Sequence, residues 1–158
     1  VEGDGNVGAN PPIQSFYAIW DNNARVTLPS GVLPGTFLRT GTLLTQSITD
    51  EVDASGSRWR VVSDNAGDWN THKGCYIDLV SPVLGGQGER AVSRPILRTG
   101  RIIFSTLIPS GDICSFGGSG WVMELSTENC GRIDEGVFDD ADPEALRRAL
   151  SALKREKE

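Results

Sequence analysis

The sequence predicts a mainly β protein: partial β-propeller-like antiparallel sheets with long loops, ending in a short C-terminal α-helix. Three observations predict it. Glycine occurs 19 times and proline 8 times in 158 residues, which cuts the chain into short segments. Between these cuts, runs of β-branched and aromatic residues recur at a spacing that suits propeller blades or a sandwich. Helical apolar spacing appears only after Asp142. The expected organisation is a β domain over 1–142 and a helix over 143–158.

The elements follow in order. Residues 1–12 are rich in Gly, Asn and Pro and read as a loop. Ser15–Trp20 (SFYAIW) has the aromatic and β-branched character of a strand, stopped by Asp21-Asn22-Asn23. Residues 26–41 carry Pro29, Gly31, Pro34 and Gly35 and read as an irregular connection. Leu43–Thr49 alternates weakly and predicts a strand. Ser55-Gly56-Ser57 then turns the chain into Arg58–Ser63, which predicts a hairpin.

Residues 64–74 are polar, with Trp69 and His72 among them. Cys75–Val80, Glu89–Ser93, Arg101–Leu107 and Gly120–Ser126 complete the predicted strands, with a turn over Leu84–Gly88. At the end, Asp142 suits a helix N-cap, Pro143 the first helical position and Glu144 the first turn. Leu146, Ala149, Leu150 and Leu153 form one apolar stripe, and Lys154, Arg155 and Lys157 oppose the helix dipole at its close.

Charge excludes some functions. With 15 Lys and Arg against 21 Asp and Glu, the formal net charge is −6. That argues against a broad cationic face for nucleic acid. No apolar run reaches the roughly 18 residues that a membrane-spanning helix needs. The chain opens on Val1 instead of Met and shows no signal peptide, as a mature or excised piece would.

Candidate chemistry is sparse. Gly3-Asp4-Gly5-Asn6-Val7-Gly8 matches the dinucleotide fingerprint but lacks the preceding strand and following helix, and Pro11-Pro12 comes next. Phe116-Gly117-Gly118-Ser119-Gly120 lacks the Lys-Ser/Thr of a phosphate loop and precedes a strand, so it reads as an inter-strand turn where glycine takes positive φ. His72 is the one histidine, and it lies in a polar loop between Thr71 and Lys73 without a nucleophile-elbow pattern. No catalytic set and no enzyme activity are therefore expected.

The acidic run Asp134, Glu135, Asp139, Asp140 and Asp142 offers carboxylate oxygens of the kind Ca²⁺ takes. Asp139, Asp140 and Asp142 are the candidate metal ligands. An EF-hand-like loop starting at Asp140 would, however, put Ala145 in place of its glycine and Ser151 in place of its closing Glu. An acidic helix cap explains the same residues.

Of the three cysteines, Cys114 and Cys130 bracket a turn-strand-turn segment and are the best candidate disulfide. Cys75 is then a buried thiol or pairs outside the chain. Most of the tryptophans and tyrosines fall in strand runs, where burial is the usual fate. Trp69 is the exception and raises the alternative of a secreted carbohydrate-binding module.

Several stretches together resemble one family. They are Gln14–Asp21 (QSFYAIWD), Tyr76–Leu79 (YIDL), Gly88–Arg90 (GER), Ile103–Ser110 (IFSTLIPS) and Cys114–Leu125 (CSFGGSGWVMEL). In that order they are similar to the C-terminal β-propeller domain of PilY/PilC-type type IV pilus biogenesis factors and tip adhesins. The family propeller is much longer than this chain, which would hold a blade or two. The resemblance implies a protein at the cell envelope, periplasm or pilus tip that supports pilus biogenesis and adhesion. It would act without enzymatic chemistry, through contacts with pilins or minor pilins and with the remaining blades of a longer chain. The family often carries a calcium loop near the propeller, and residues 136–142 fall where such a loop could lie.

Overall fold

The computed structural model describes residues 11–21, 30–31, 39, 41–54, 57–110 and 118–133. Among these, ten strands form: β1 (Ser15–Ile19), β2 (Leu44–Gln46), β3 (Ile48–Ala54), β4 (Ser57–Val62), β5 (Gly74–Asp78), β6 (Arg90–Ala91), β7 (Ile96–Arg98), β8 (Arg101–Pro109), β9 (Gly118–Ser119) and β10 (Val122–Ser126). The mainly β expectation holds. The helix expected over 143–158 lies outside the described residues.

The strands make three open sheets. One has the order β1-β5-β2. Another is centred on β8, which pairs with β10, β6, β7 and β9. The third is the hairpin of β3 and β4, whose register runs from Ile48↔Val62 to Ala54↔Ser57 with an irregularity between Ile48 and Asp50. This is the hairpin read from Ser55-Gly56-Ser57.

One expectation needs correcting. The sheets were expected to be antiparallel throughout, yet β2 runs parallel to β5, with Leu44 opposite Cys75 and Gln46 opposite Ile77. The physical reason lies in the connection. A parallel neighbour needs a long crossover, and the whole β3–β4 hairpin with the 63–73 loop supplies one. The strand read as Leu43–Thr49 also divides at Ser47, whose amide takes the Ser63 hydroxyl at 2.9 Å as acceptor. β9 falls in the Gly-rich stretch read as a turn, and β7 in a stretch given no element.

Alternation builds the core. β8 buries Ile102, Phe104 and Thr106 and leaves the residues between them more open. Met123 and Leu125 of β10 are buried in the same way. These side chains pack with Leu44, Ile48, Val62, Ile77 and Leu79 in one cluster, and Phe16 joins it by stacking on Phe104 at 4.2 Å between ring centroids. Burying each large apolar side chain contributes about 1.5–3 kcal/mol.

Gln46 is the polar member of this interior, 1% exposed. Its amide nitrogen donates to the carbonyls of Asn65 and Asn129, and its oxygen accepts from the Ser63 hydroxyl and the Asn65 amide. Full satisfaction removes the usual penalty for burying an amide.

The glycine-rich hinge before β10 is an inter-strand connection, as read, but for a different reason. Gly118 and Gly120 do not take positive φ. A Cβ at Gly118 would overlap the Ile108 carbonyl oxygen, and one at Gly120 would overlap that of Thr106. Close approach of the β8 backbone, and not turn handedness, selects glycine there.

Candidate functional site

A disulfide joins Cys75 of β5 to Cys130, with Cα atoms 5.9 Å apart and a sequence separation of 55. This corrects the expected Cys114–Cys130 pairing, and with it the reading of Cys75 as a free or externally paired thiol. Proximity along the chain was the wrong guide. The turn after β10 folds back under the first sheet and carries Cys130 to β5, held there by Cys130 N donating to Ser126 O at 2.9 Å. Both half-cystines are buried in the core cluster. Cys114 lies outside the described residues.

A second crosslink is ionic. Arg60 of β4 reaches Glu89 through two hydrogen bonds of 2.6 and 2.7 Å and Glu51 of β3 through its Nε at 2.9 Å. Ser81 donates to the other Glu51 oxygen at 3.0 Å. The Arg60 guanidinium lies 4.3 Å from the centre of the Trp121 ring, a cation–π distance. These contacts tie the β3–β4 hairpin to the 81–89 loop and to the start of β10. The sequence reading missed the cluster, because a charged residue in an alternating strand ordinarily faces water.

The outer face of the first sheet carries a third polar group. Arg39 donates to both Asp78 oxygens at 2.5 and 2.7 Å and stacks 4.4 Å from the Tyr76 ring centre. Ser15 also donates to Asp78, and Tyr17 stacks on Tyr76 at 5.8 Å. All these groups bind one another, leaving a rigid amphipathic face.

An open cleft of about 430 Å³ lies between the end of β1, the start of β5 and the turn after β10. Ile19, Trp20, Trp69, Cys75, Thr127 and Glu128 are among the residues lining it. Trp20 is 54% exposed and Trp69 41%. The Lys73 ammonium lies 5.4 Å from the Trp20 ring centre. Trp69 is exposed, as its polar loop predicts; Trp20, which strand composition places in the core, is open instead, because β1 ends before it.

Trp69 is held by its loop. Asp68 Oδ1 accepts from the Asn70 amide and side chain, both at 3.0 Å. The Asp68 amide donates to His72 Nδ1 at 3.0 Å, and the His72 amide donates to the Asp68 carbonyl at 2.7 Å. The bonds from Asn70, with smaller help from Thr71 and then His72, hold the Asp68 carboxyl below the usual carboxylate range. His72 Nδ1 thus helps close the loop.

The remaining expected sites fall elsewhere. Asp139, Asp140 and Asp142 lie outside the described residues, as does the Gly3–Gly8 motif. Among the described residues, no three His, Cys, Asp or Glu side chains converge as metal ligands. No described helix is long and apolar enough to cross a membrane.

Comparison with known proteins gives the chain relatives. It is 36% identical over 134 residues, 82% of its length, to a type IV pilus biogenesis factor PilY1 homolog of Xylella fastidiosa. A second protein of the same name and organism is 28% identical over 120 residues, 75% of the chain. The chain spans 10% and 8% of the lengths of these two relatives. No family model matches it, and no solved structure does. Most of the chain is thus shared with much longer proteins, and the chain belongs to the PilY1-type family of type IV pilus biogenesis factors.

Proposed function

We propose that the chain serves type IV pilus biogenesis as a non-enzymatic β segment of a longer extracytoplasmic protein, and that it acts through contacts with pilins or minor pilins. The observation that carries this reading is the Trp20–Trp69 cleft. Two exposed indoles line one opening, one on a strand end and the other on a loop fixed by Asp68 and His72. Aromatic anchors held in advance of binding concentrate affinity in protein interfaces. The buried disulfide supports the extracytoplasmic placement, since such bonds persist in oxidising compartments. Further parts of the longer chain complete the propeller-like architecture; among the described residues, no strand pairs with the outer edge of β1.

The test places Trp20→Ala and Trp69→Ala together in the full-length protein of the host bacterium. Surface pili and twitching motility are then scored beside an immunoblot of the protein. The expected result is loss of pili at an unchanged protein level. Normal piliation and twitching at an unchanged protein level would remove the cleft from pilus biogenesis.

A further inference from the structure

The two indoles of the cleft differ in what already covers them. The Lys73 ammonium lies over the Trp20 ring and donates to the Asn70 carbonyl at 3.1 Å. Trp121, elsewhere in the chain, carries Arg58 at 4.8 Å and Arg60 at 4.3 Å. Among the described residues, no cation lies over Trp69. Its ring packs against Gly67, where an added Cβ would come within 2.9 Å of the indole Cζ2, and the rest of it stays open to the cleft.

Glu128 lines the same cleft from the turn after β10. Its amide donates to the Ser126 hydroxyl at 3.1 Å, and no hydrogen bond or ion pair engages its carboxylate among the described residues. Asp21 and Asp68 adjoin the two indoles in sequence, so carboxylates outnumber the Lys73 ammonium beside them. Ala18 and Ile19 add apolar surface. An open ring, an unpaired carboxylate and an apolar wall are satisfied together by one type of side chain. Arginine brings a methylene stem for the wall, a flat guanidinium that stacks on an indole, and a fork of donors for a carboxylate.

We propose that the cleft takes an arginine side chain of the pilin or minor pilin it contacts, with the guanidinium against the Trp69 ring and paired with Glu128. The assignment rests on the reading of the cleft as a protein-contact site and names the chemistry that site selects. An acidic anchor meets the Glu128 charge. A purely aliphatic one strips water from that carboxylate and returns nothing. Lys73 does not take the place of the partner's cation, because it is bound to the Asn70 carbonyl and stands over the other indole. The net charge of −6 also draws a basic segment toward the chain.

The test has two arms. In the first, the isotope-labelled chain is titrated with a capped glycyl-arginyl-glycine peptide and with its norleucine counterpart, and the indole N–H signals of Trp20 and Trp69 are followed by NMR. The arginine peptide should shift both signals and bind about tenfold more tightly than the norleucine peptide. Glu128→Gln should weaken the arginine peptide about threefold and leave the norleucine peptide unchanged. Equal binding of the two peptides, no saturable shift with either, or full arginine affinity in Glu128→Gln would each overturn the proposal. In the second arm, Glu128→Lys is placed in the full-length protein of the host bacterium, beside the double Trp20→Ala and Trp69→Ala variant, and surface pili are scored at matched protein level. Both variants should lose pili. Loss in the tryptophan variant alone would overturn the arginine assignment and leave the cleft reading standing, whereas normal pili in both would remove the two together.

Discussion

Arg60 and Glu89 form a two-point ion pair in the interior, with side chains 3% and 1% exposed. Their sequence neighbourhoods are unrelated, so the pair exists only because β4 and the loop before β6 meet over Trp121. Isolated buried ions are costly, and a complete set of partners is what makes this one tolerable. Removing Glu89 leaves Arg60 with Glu51 alone.

Glu89→Ala should therefore destabilise the fold by about 3–5 kcal/mol, read as a lower urea midpoint at unchanged slope. Arg60→Ala should cost as much or more, because it strands both Glu51 and Glu89. Glu89→Gln, which keeps shape and one acceptor, should retain the fold and lose less. A midpoint for Glu89→Ala within error of the parent would mean that the pair contributes nothing net.

The Cys75–Cys130 bond closes a loop of 55 residues. Constraint of the unfolded chain by a loop of that length is worth about 4 kcal/mol. Cys75→Ser and Cys130→Ser should each lower thermal and urea stability by that order, and so should reduction of the parent. Cys114→Ser, which leaves the Cys75–Cys130 bond intact, should lower stability by clearly less than either of these. Loss of stability in Cys114→Ser without loss in Cys75→Ser would overturn the pairing.

The strand positions were legible because β-branched and aromatic runs stand between Gly-, Pro- and Asn-rich breaks. Ser15–Ile19, the β3–β4 hairpin and β8 are such places. Partner choice was not legible. Cys114 is nearer in sequence to Cys130 than Cys75 is, but the parallel β2–β5 arrangement and the turn after β10 decide which sulfur arrives. Arg60 looked like a solvent-facing strand residue for the same reason: its partners Glu51 and Glu89 come from other segments. Trp69 could be read as exposed because its neighbours are Asp, Asn and Thr. Trp20 could not, because strand composition does not tell where pairing stops.

The Asp68 turn gives a pH dependence with a definite sign. Its carboxyl is held below the ordinary value of 3.8, first through bonds from Asn70, then through Thr71 and last through His72. A group whose folded value is depressed stabilises the turn above its unfolded value and loses that contribution as pH falls through the folded one. Hydrogen exchange at Asn70 and Thr71 should thus be flat from neutral pH down to about 4, after correction for intrinsic rates, and should accelerate below it. Asp68→Asn should remove the step. A step near the histidine range instead would assign the turn's stability to His72.

The hinge before β10 supplies the last test, because two explanations of its glycines predict different outcomes. If positive φ selected them, an Asn, which tolerates that conformation better than Ala, would be the milder replacement. The observed reason is contact: a Cβ at Gly120 meets the Thr106 carbonyl, whose β8 strand is fixed by Phe104 in the core. Both Ala and Asn carry that Cβ. Gly120→Ala and Gly120→Asn should then lose stability alike, by about 1–3 kcal/mol as overpacking does. Ser119→Ala, beside it on an exposed position, should lose little. The strand must shift to admit the added carbon, so amide exchange should rise at Thr106 and Trp121, which share a backbone hydrogen bond of 2.8 Å. A clearly milder Gly120→Asn, with β8 exchange unchanged, would return the hinge to an ordinary turn chosen for its backbone handedness.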